Sequence, residues 1–250
     1  MRRSHVTGIA LLFVLVAGAA SQVRPNGLVA DLSDHLVAIT TGFAGAEVLL
    51  FGAVEEPGDV VVVVRGPKED VVMHRKSRLG GIWVNTAAMT FEEVPSFYAV
   101  AATRPLNEIA ASSVLLRNQI GLEHLQIDLP RAKASENVAK EWRAALKRAR
   151  QRENLYSADI GRVVFLGARL FRSDVFFPAN VPTGTYQVQV YLIRDGAVAS
   201  AQTTPLIVSK IGLEAEIFYF AHNNSALYGV VAILLALVAG WLAHIAFRKA

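Results

Sequence analysis

The stretch Thr185-Tyr-Gln-Val-Gln-Val-Tyr-Leu192 alternates between two sets of side chains. Successive side chains of a β-strand point to opposite faces of the sheet. One face therefore carries Tyr186, Val188, Val190 and Leu192, and the other carries mainly Thr and Gln. This pattern predicts a strand of an antiparallel sheet.

The residues on both sides of this strand extend the prediction. Asp195-Gly196 is typical of a two-residue hairpin turn, and it leads into a further apolar strand over Ala197–Val208. Upstream, Pro182-Thr-Gly-Thr-Tyr186 is similar to the corner of immunoglobulin-type sandwiches, where a Tyr hydroxyl bonds to nearby backbone. We therefore expect Tyr186 to be buried and to have a structural role. No Cys follows it, so the disulfide of that pattern is missing.

The first half of the chain is also predicted to form strands. Five consecutive valines, Val60 to Val64, favour a strand that is buried on both faces. Gly, Pro, Asp and Asn separate the apolar runs, which is typical of short antiparallel strands. The other predicted strands are Leu28–Leu32, Leu36–Ile39, Glu47–Ala53, Val71–Met73, Ile82–Val84 and Phe97–Ala101.

Between the two β-rich parts lies a segment with helical features. Asn107 to Gln119 contains no Pro or Gly, and a clearer helix is expected from Ser135 to about Arg152. Ser135 is a plausible N-cap. One apolar stripe is predicted on this second helix, formed by Val138, Trp142, Ala145, Leu146 and Ala149.

The two ends of the chain predict that it is exported from the cytoplasm and anchored in a membrane. Met1-Arg2-Arg3 and the 15 apolar residues from Val6 to Ala20 are typical of a cleaved secretory signal peptide, with an uncleaved anchor as the alternative. Ala226 to Phe247 is an uncharged run of 22 residues. As a helix it would be about 33 Å long, enough to cross a bilayer. Arg248 and Lys249 follow it, which predicts a cytoplasmic C-terminus and a periplasmic bulk.

The charge pattern excludes one function class. The chain has 25 basic and 21 acidic residues, but four of the basic residues lie at the two targeting ends. Residues 21–225 are therefore neutral overall, and the composition gives no reason to expect nucleic-acid binding.

These features predict a mainly β protein with immunoglobulin-like β-sandwich modules, a helical insert and one C-terminal transmembrane helix. The division is a signal peptide at 1–20, a β-sandwich domain at 21–104, a helical insert at 105–155, a second β-rich module at 156–222, a transmembrane helix at 226–247 and a cytoplasmic tail at 248–250. Whether the two β-rich parts form one sandwich or two stays open.

No motif predicts catalysis, a cofactor or a metal. The six His form no H-x-x-x-H or H-E-x-x-H pair, and the chain lacks Cys, a G-x-S-x-G elbow and nucleotide-binding loops. Asp31, Asp34 and His35 cluster between two strands. They could form a metal or anion corner, but a solvated turn is the preferred interpretation.

Two further features suggest binding surfaces. The stretch Arg131–Arg152 carries a net charge of +6, which suits anionic lipid or an acidic partner. Pairing with the chain's own acidic residues is the favoured alternative. Ala232, Ala236 and Gly240 recur at every fourth position of the apolar C-terminal run, so a partner helix could approach closely there. Ordinary Ala-rich composition is the alternative.

The chain resembles the alphaproteobacterial putative transmembrane protein family over roughly residues 26–247. The segments that carry the resemblance are Leu28–His35, Ala46–Ala53, Gly167–Asp174 with Pro182–Tyr186, and Leu227-Tyr-Gly229 through Gly240-Trp241. The resemblance implies an inner-membrane protein with a periplasmic region, and it brings no catalytic or ligand residues. It also suggests a sulfite-exporter-type permease as a partner.

Three functions follow, in order of preference. The first is a non-enzymatic binding or assembly partner of a membrane complex. The second is a membrane-tethered periplasmic ligand-binding or sensor module. The third is a hydrolase with a dispersed site. A large exposed apolar patch near the membrane would favour the first, and a deep pocket with convergent polar groups and perturbed pKa values would favour the third.

Overall fold

The computed structural model describes residues 27–129, 135–212 and 220–247. The expected signal peptide and the cytoplasmic tail at 248–250 lie outside the described residues, and so do Arg131 and Lys133 of the basic stretch. The described part is mainly β, as the sequence predicts, and contains eleven strands. They are β1 Leu28–Leu32, β2 Leu36–Ile39, β3 Gly45–Val54, β4 Asp59–Arg65, β5 Lys68–Leu79, β6 Ile82–Pro95, β7 Tyr98–Ala102, β8 Gly161–Leu166, β9 Leu170–Pro178, β10 Gly184–Arg194 and β11 Ala197–Lys210.

Nine strands form one curled sheet in the order β1-β3-β9-β8-β7-β4-β10-β11-β2, and β5 and β6 pair with each other. The side-chain amide of Gln202 links β11 to β1. It accepts a hydrogen bond from the Ala30 N–H at 3.0 Å and donates one to the Ala30 carbonyl at 2.7 Å. Strands from before and after the helical segment pair directly, β3 with β9 and β4 with β10. The two β-rich parts therefore build a single sheet.

The valine strand β4 lies near the middle of this sheet, between β7 and β10. All five valines are at most 1% exposed, so the prediction of a strand buried on both faces is confirmed. The helical segment contacts the C-terminal end of this strand. The Arg65 guanidinium at that end donates to the carbonyl groups of Asn118 and Gln119.

Tyr186 on β10 makes the corner contact expected from the sequence. Its side chain is fully buried, and its hydroxyl donates to the Pro182 carbonyl at 2.6 Å. Its ring packs against Phe97 and Phe177, with centroids 5.8 and 5.6 Å away. The tyrosine thus ties the start of β10 to the core.

The predicted strands Val71–Met73 and Ile82–Val84 are much too short. They belong to the long hairpin of β5 and β6, which turns at Gly80-Gly81, where φ is +56° and +89°. The outer part of the hairpin is exposed on both faces, so it has no hydrophobic alternation that could reveal a strand.

The helical segment contains α1 Leu106–Ile109, α2 Ser112–Arg117, a 3-10 turn at Leu122–His124 and α3 Glu136–Arg152. The stretch from Asn107 to Gln119 has no Pro or Gly but is not one helix, because the backbone is extended at Ala110 and Ala111. Ile109 and Leu115 are both buried, yet six residues apart they would point about 120° away from each other on a straight helix. The break lets both enter the core.

Helix α3 has nearly the predicted bounds but a shifted buried stripe. Ala139, Trp142 and Leu146 are buried, whereas Val138 is 39% exposed, so its predicted place in the stripe is wrong. Ser135 precedes the helix without a side-chain capping bond. The buried stripe at i, i+3 and i+7 keeps Trp142 and Leu146 of the prediction and has Ala139 in place of Val138.

The C-terminal helix α4 spans Ser225–Phe247 and confirms the predicted apolar helix. Among the described helices, it alone is long and apolar enough to cross a membrane, with a mean hydropathy of 2.3 over Ser225–Ile245. None of that segment is buried inside the protein. An uncharged helix of this length suits the bilayer core.

Candidate functional site

The most distinctive surface of the sheet is an exposed apolar patch, here called the apolar face. It lies on the outer side of β1, β3, β9 and β8, at the end where β8 turns into β9. Its members are Val29, Phe51, Ala53, Leu166 and Leu170, which surround a shallow depression of about 440 Å³.

Strand register builds the apolar face row by row. Val29 pairs with Ala53, Ala53 with Leu170, and Leu170 with Leu166, so one apolar row crosses four strands. Phe51 stands in the next row. Neighbouring strands are about 4.8 Å apart, which makes the row about 14 Å wide. The row is continuous because each strand places an apolar outer residue at the same level.

Exposure sets these side chains apart from the core. Val29 is 66% exposed, Leu170 56%, Leu166 50% and Phe51 46%. On β1 and β9 the neighbouring residues point inward and are buried, as the alternation of a strand requires. The outer positions would ordinarily be polar, so four exposed large apolar side chains in one place indicate a binding surface.

Charged residues border the apolar face. Asp31 and Arg172 lie opposite Phe51 on the two neighbouring strands. An apolar centre with a polar rim is the common anatomy of a protein–protein interface. The arrangement therefore suits a protein partner better than a small ligand.

The apolar face lies far from the point where the chain leaves the sheet toward α4. Gln202 contacts Ala30 on the strand that carries Val29, and β11 continues for eight more residues to Lys210. Eight strand residues span about 26 Å. Contact with the bilayer next to the chain's exit does not explain the exposed apolar residues.

A second feature is a pair of open depressions where α3 meets β7 and β8, of about 550 and 400 Å³. Gln151, Ser157 and Asp159 border both of them. Tyr156 lines one and Tyr98 the other. These depressions are candidates for a small-molecule site.

The buried tyrosine hydroxyls near these depressions are fixed by backbone. Tyr98 donates to the Gln119 carbonyl and Tyr156 to the Pro95 carbonyl, each at 2.7 Å. Burial raises the pKa of Tyr98 to about 12 and also raises the pKa of Tyr156 above its ordinary value. Both groups therefore stay protonated and serve as structural donors.

The cluster of Asp31, Asp34 and His35 forms an exposed turn. His35 Nε2 lies 3.0 Å from Asp31 Oδ1, and both side chains are 54% exposed. The Asp34 carboxylate accepts from the Ser33 hydroxyl at 3.0 Å. Within the described ranges, no three His, Asp or Glu side chains form a cluster suited to a metal ion.

The described part of the basic stretch binds largely to its own chain. Arg143 pairs with Glu136 at 3.0 Å, and Arg150 pairs with Glu69 of the hairpin. Lys147 donates to the Leu122 carbonyl at 2.6 Å, and its burial lowers its pKa. Lys140, Arg148 and Arg152 stay exposed. The contacts favour internal pairing over a lipid-binding role for α3.

Ala232, Ala236 and Gly240 lie along one side of α4, and all three are exposed in the single chain. A Cβ added at Gly240 would have no neighbour within 4 Å. The described residues therefore leave this side of the helix open, and the predicted helix-packing role stays a prediction.

Sequence reasoning missed the apolar face. A signal existed in Leu49-Leu-Phe51 and Leu170-Phe171, where apolar residues occupy both faces of a strand at once. Such runs are also typical of strands that are covered on both sides, as β4 is. The sequence could not show which apolar strands are packed against another element on both faces, because this depends on where the helical segment packs.

Comparison with known proteins gives one match. A model of the family described as Putative transmembrane protein matches residues 27–249, nearly the whole chain. No curated protein and no solved structure matches the chain significantly.

Proposed function

The chain belongs to this family of transmembrane proteins, and we propose that it is a non-enzymatic assembly protein that binds a partner of a membrane complex through the apolar face. The partner is a protein with an apolar contact surface. Sulfite-exporter-type permeases, suggested by the resemblance, are the first class to test, and such a partner would have to bind through a part that projects from the bilayer. The observation that carries the proposal is the continuous exposed apolar row from Val29 to Leu166.

Burial of the apolar face would supply the driving force for binding. Removing apolar surface from water is worth about 25 cal/mol per Å². Aromatic and large aliphatic side chains at an interface centre commonly dominate such energies, and here they are Phe51 and Leu170. The charged neighbours Asp31 and Arg172 would set orientation rather than affinity.

The proposed placement is a single-pass protein of the inner membrane. The β-rich domain lies in the periplasm, α4 crosses the bilayer and the C-terminus is cytoplasmic. A C-terminal fusion to a fluorescent protein that matures in the cytoplasm should be active, and a fusion to alkaline phosphatase should be inactive. Phosphatase activity from the C-terminal fusion would overturn this orientation.

The test of function is a crosslinked pull-down from native membranes, read by mass spectrometry. Phe51→Ser with Leu170→Ser should lower recovery of the main partner at least tenfold. The matched control is Leu36→Ser with Val72→Ser, which removes two apolar side chains of similar exposure elsewhere, 48% and 55%. Equal recovery with both double variants would refute the role of the apolar face.

A second candidate function is that of a tethered ligand sensor, favoured by the depressions near Gln151 and Asp159. This alternative predicts a small molecule that co-purifies with the protein and is lost in Gln151→Ala. The two functions also differ in the consequence of losing the apolar face. Phe51→Ser with Leu170→Ser should leave ligand content unchanged in a sensor.

A further inference from the structure

The hairpin of β5 and β6 has a well-packed inner half. Met89 and Phe91 are buried in the core. Helix α3 holds the middle of the hairpin, because Arg75 forms a salt bridge with Glu141 at 2.9 Å. Beyond Arg75, a β-bulge interrupts the pairing before Lys76. The hairpin tip, residues 76–86, is the part beyond this bulge.

Large apolar side chains are exposed at the hairpin tip. Leu79 is 59% exposed, Ile82 66% and Trp83 69%. Leu79 pairs directly with Ile82 across the turn, so their side chains share one face. A two-stranded hairpin is at best marginally stable alone in water. Exposed apolar residues at its end therefore call for a functional explanation.

The charge around the tip is of one sign. From Val71 to Phe91 the sequence contains no Asp or Glu and includes Arg75, Lys76 and Arg78. Arg75 is occupied by Glu141. Lys76 and Arg78 are exposed, and Arg78 lies opposite Trp83 in the strand register. The tip thus combines an apolar end with two available cations.

This combination matches the chemistry of an anionic bilayer surface. Trp rings favour the headgroup region, and aliphatic side chains favour the acyl boundary just below it. Lys and Arg beside them are attracted to anionic headgroups. We propose that the hairpin tip inserts Leu79, Ile82 and Trp83 into the anionic surface of the membrane that holds α4.

The topology places the root of the hairpin at the membrane end of the sheet. Arg65, at the end of β4, pairs with Gln187, which in turn pairs with Pro205 on β11. β11 ends five residues later at Lys210, and the chain then runs on toward α4. The hairpin and the chain's exit therefore share one end of the sheet, opposite the apolar face.

The lengths allow the hairpin tip to reach the surface. The twelve residues of β5 span about 40 Å. Seven residues separate Gly212 from Phe220, and a chain of that length spans at most about 30 Å. This length allows the sheet to lie close enough to the bilayer for the hairpin tip to reach it. Lipid insertion would give the domain a second membrane contact and limit its rotation about the tether.

The test uses the full chain. Because the chain has no Cys, a single introduced cysteine can be labelled specifically. Ile82→Cys, labelled with an environment-sensitive fluorophore, is reconstituted into vesicles of phosphatidylcholine with or without phosphatidylglycerol. We expect blue-shifted emission and quenching by spin-labelled lipid in the phosphatidylglycerol vesicles. The matched control is Ala197→Cys at the exposed start of β11, at the other end of the sheet, where the label should stay in water.

Charge reversal tests whether Lys76 and Arg78 attract the hairpin tip to anionic headgroups. Lys76→Glu with Arg78→Glu should shift the insertion equilibrium toward water by at least roughly fivefold per residue and thereby lower lipid quenching at position 82. High salt should lower it in the unreversed protein as well, since screening weakens surface attraction. A label at position 82 that stays in water in both vesicle types overturns the proposal. So does a blue shift that requires co-reconstituted membrane protein, because the tip would then bind a protein.

Discussion

The guanidinium carbon of Arg75 on β5 lies 5.1 Å from the ring centroid of Trp142 on α3. The same arginine pairs with Glu141 at 2.9 Å, so one side chain ties the hairpin to the helix through two neighbouring residues. A cation over an indole face at a partly exposed site is worth about 0.5–1 kcal/mol. The contact therefore adds measurable stability at the middle of the hairpin.

We predict that Arg75→Ala speeds backbone hydrogen exchange in β5 and β6 without changing exchange in β4 and β10. The main sheet has its own core, so the loss should stay local. Lys76→Ala is the matched control, since it removes the neighbouring exposed cation. Faster exchange throughout the sheet would show that the hairpin and the sheet open as one unit.

Tyr186→Phe should lower the free energy of unfolding by about 1–2 kcal/mol, because the buried tyrosine loses its hydrogen bond to the Pro182 carbonyl. Denaturant unfolding of the full chain in detergent, followed by near-ultraviolet circular dichroism, measures the change. Tyr228→Phe removes an equivalent hydroxyl from an exposed ring on α4 and should have no effect. Equal stability of both variants and the wild type would exclude a stabilising corner.

The start of β4 should respond to acid. The Arg104 guanidinium hydrogen-bonds Asp59 and is the main reason that the pKa of this carboxyl lies below its ordinary value of 3.8. The Thr103 hydroxyl also donates to it, at 2.9 Å. A carboxyl whose pKa is lowered by folding stabilises the fold above its unfolded pKa, and this contribution is lost as pH falls through the folded value.

Asp59→Asn should therefore be less stable than the wild type at pH 6, and the gap should close as pH falls below about 4. Thermal unfolding at a series of pH values across this range measures the difference in stability between the two proteins. Asp195→Asn, at the exposed turn after β10, serves as the control and should track the wild type. A gap of constant size down to pH 2 would show that the substitution acts through packing.

The row of small residues on α4 makes a further prediction. Ala236→Leu with Gly240→Leu adds bulk on one side of the helix and should weaken association with a partner helix inside the membrane. Membrane insertion should persist, since both changes raise hydrophobicity. Val238→Leu with Ile245→Leu is the control on the opposite side. Crosslinking yield within membranes measures the association, and equal yields would mean that α4 acts only as a tether.

The elements that could be predicted are those whose own residue pattern determines both their type and their burial. Two strands are specified by their own residues, with no information about distant parts of the chain. They contain the alternation at Thr185–Leu192 and the valine run Val60–Val64. The same holds for the apolar length of α4. Gly-rich and Asp-Gly turns then limit the connections between strands.

Features that depend on distant packing could not be predicted. The break between α1 and α2 exists because Ile109 and Leu115 both enter a core built by other elements. The length of the hairpin depends on its contact with α3, and the apolar face depends on which strands the helical segment leaves uncovered. In each case the deciding partner lies far away in the sequence.

Site-specific photocrosslinking at Phe51 tests the central claim most directly. A photoreactive phenylalanine analogue at position 51, in the full chain and in native membranes, should give one dominant crosslinked partner. The same analogue at Val72, which is 55% exposed but lies outside the apolar face, should give none. A product containing two copies of this chain, or identical products from both positions, would contradict binding of a partner protein through the apolar face.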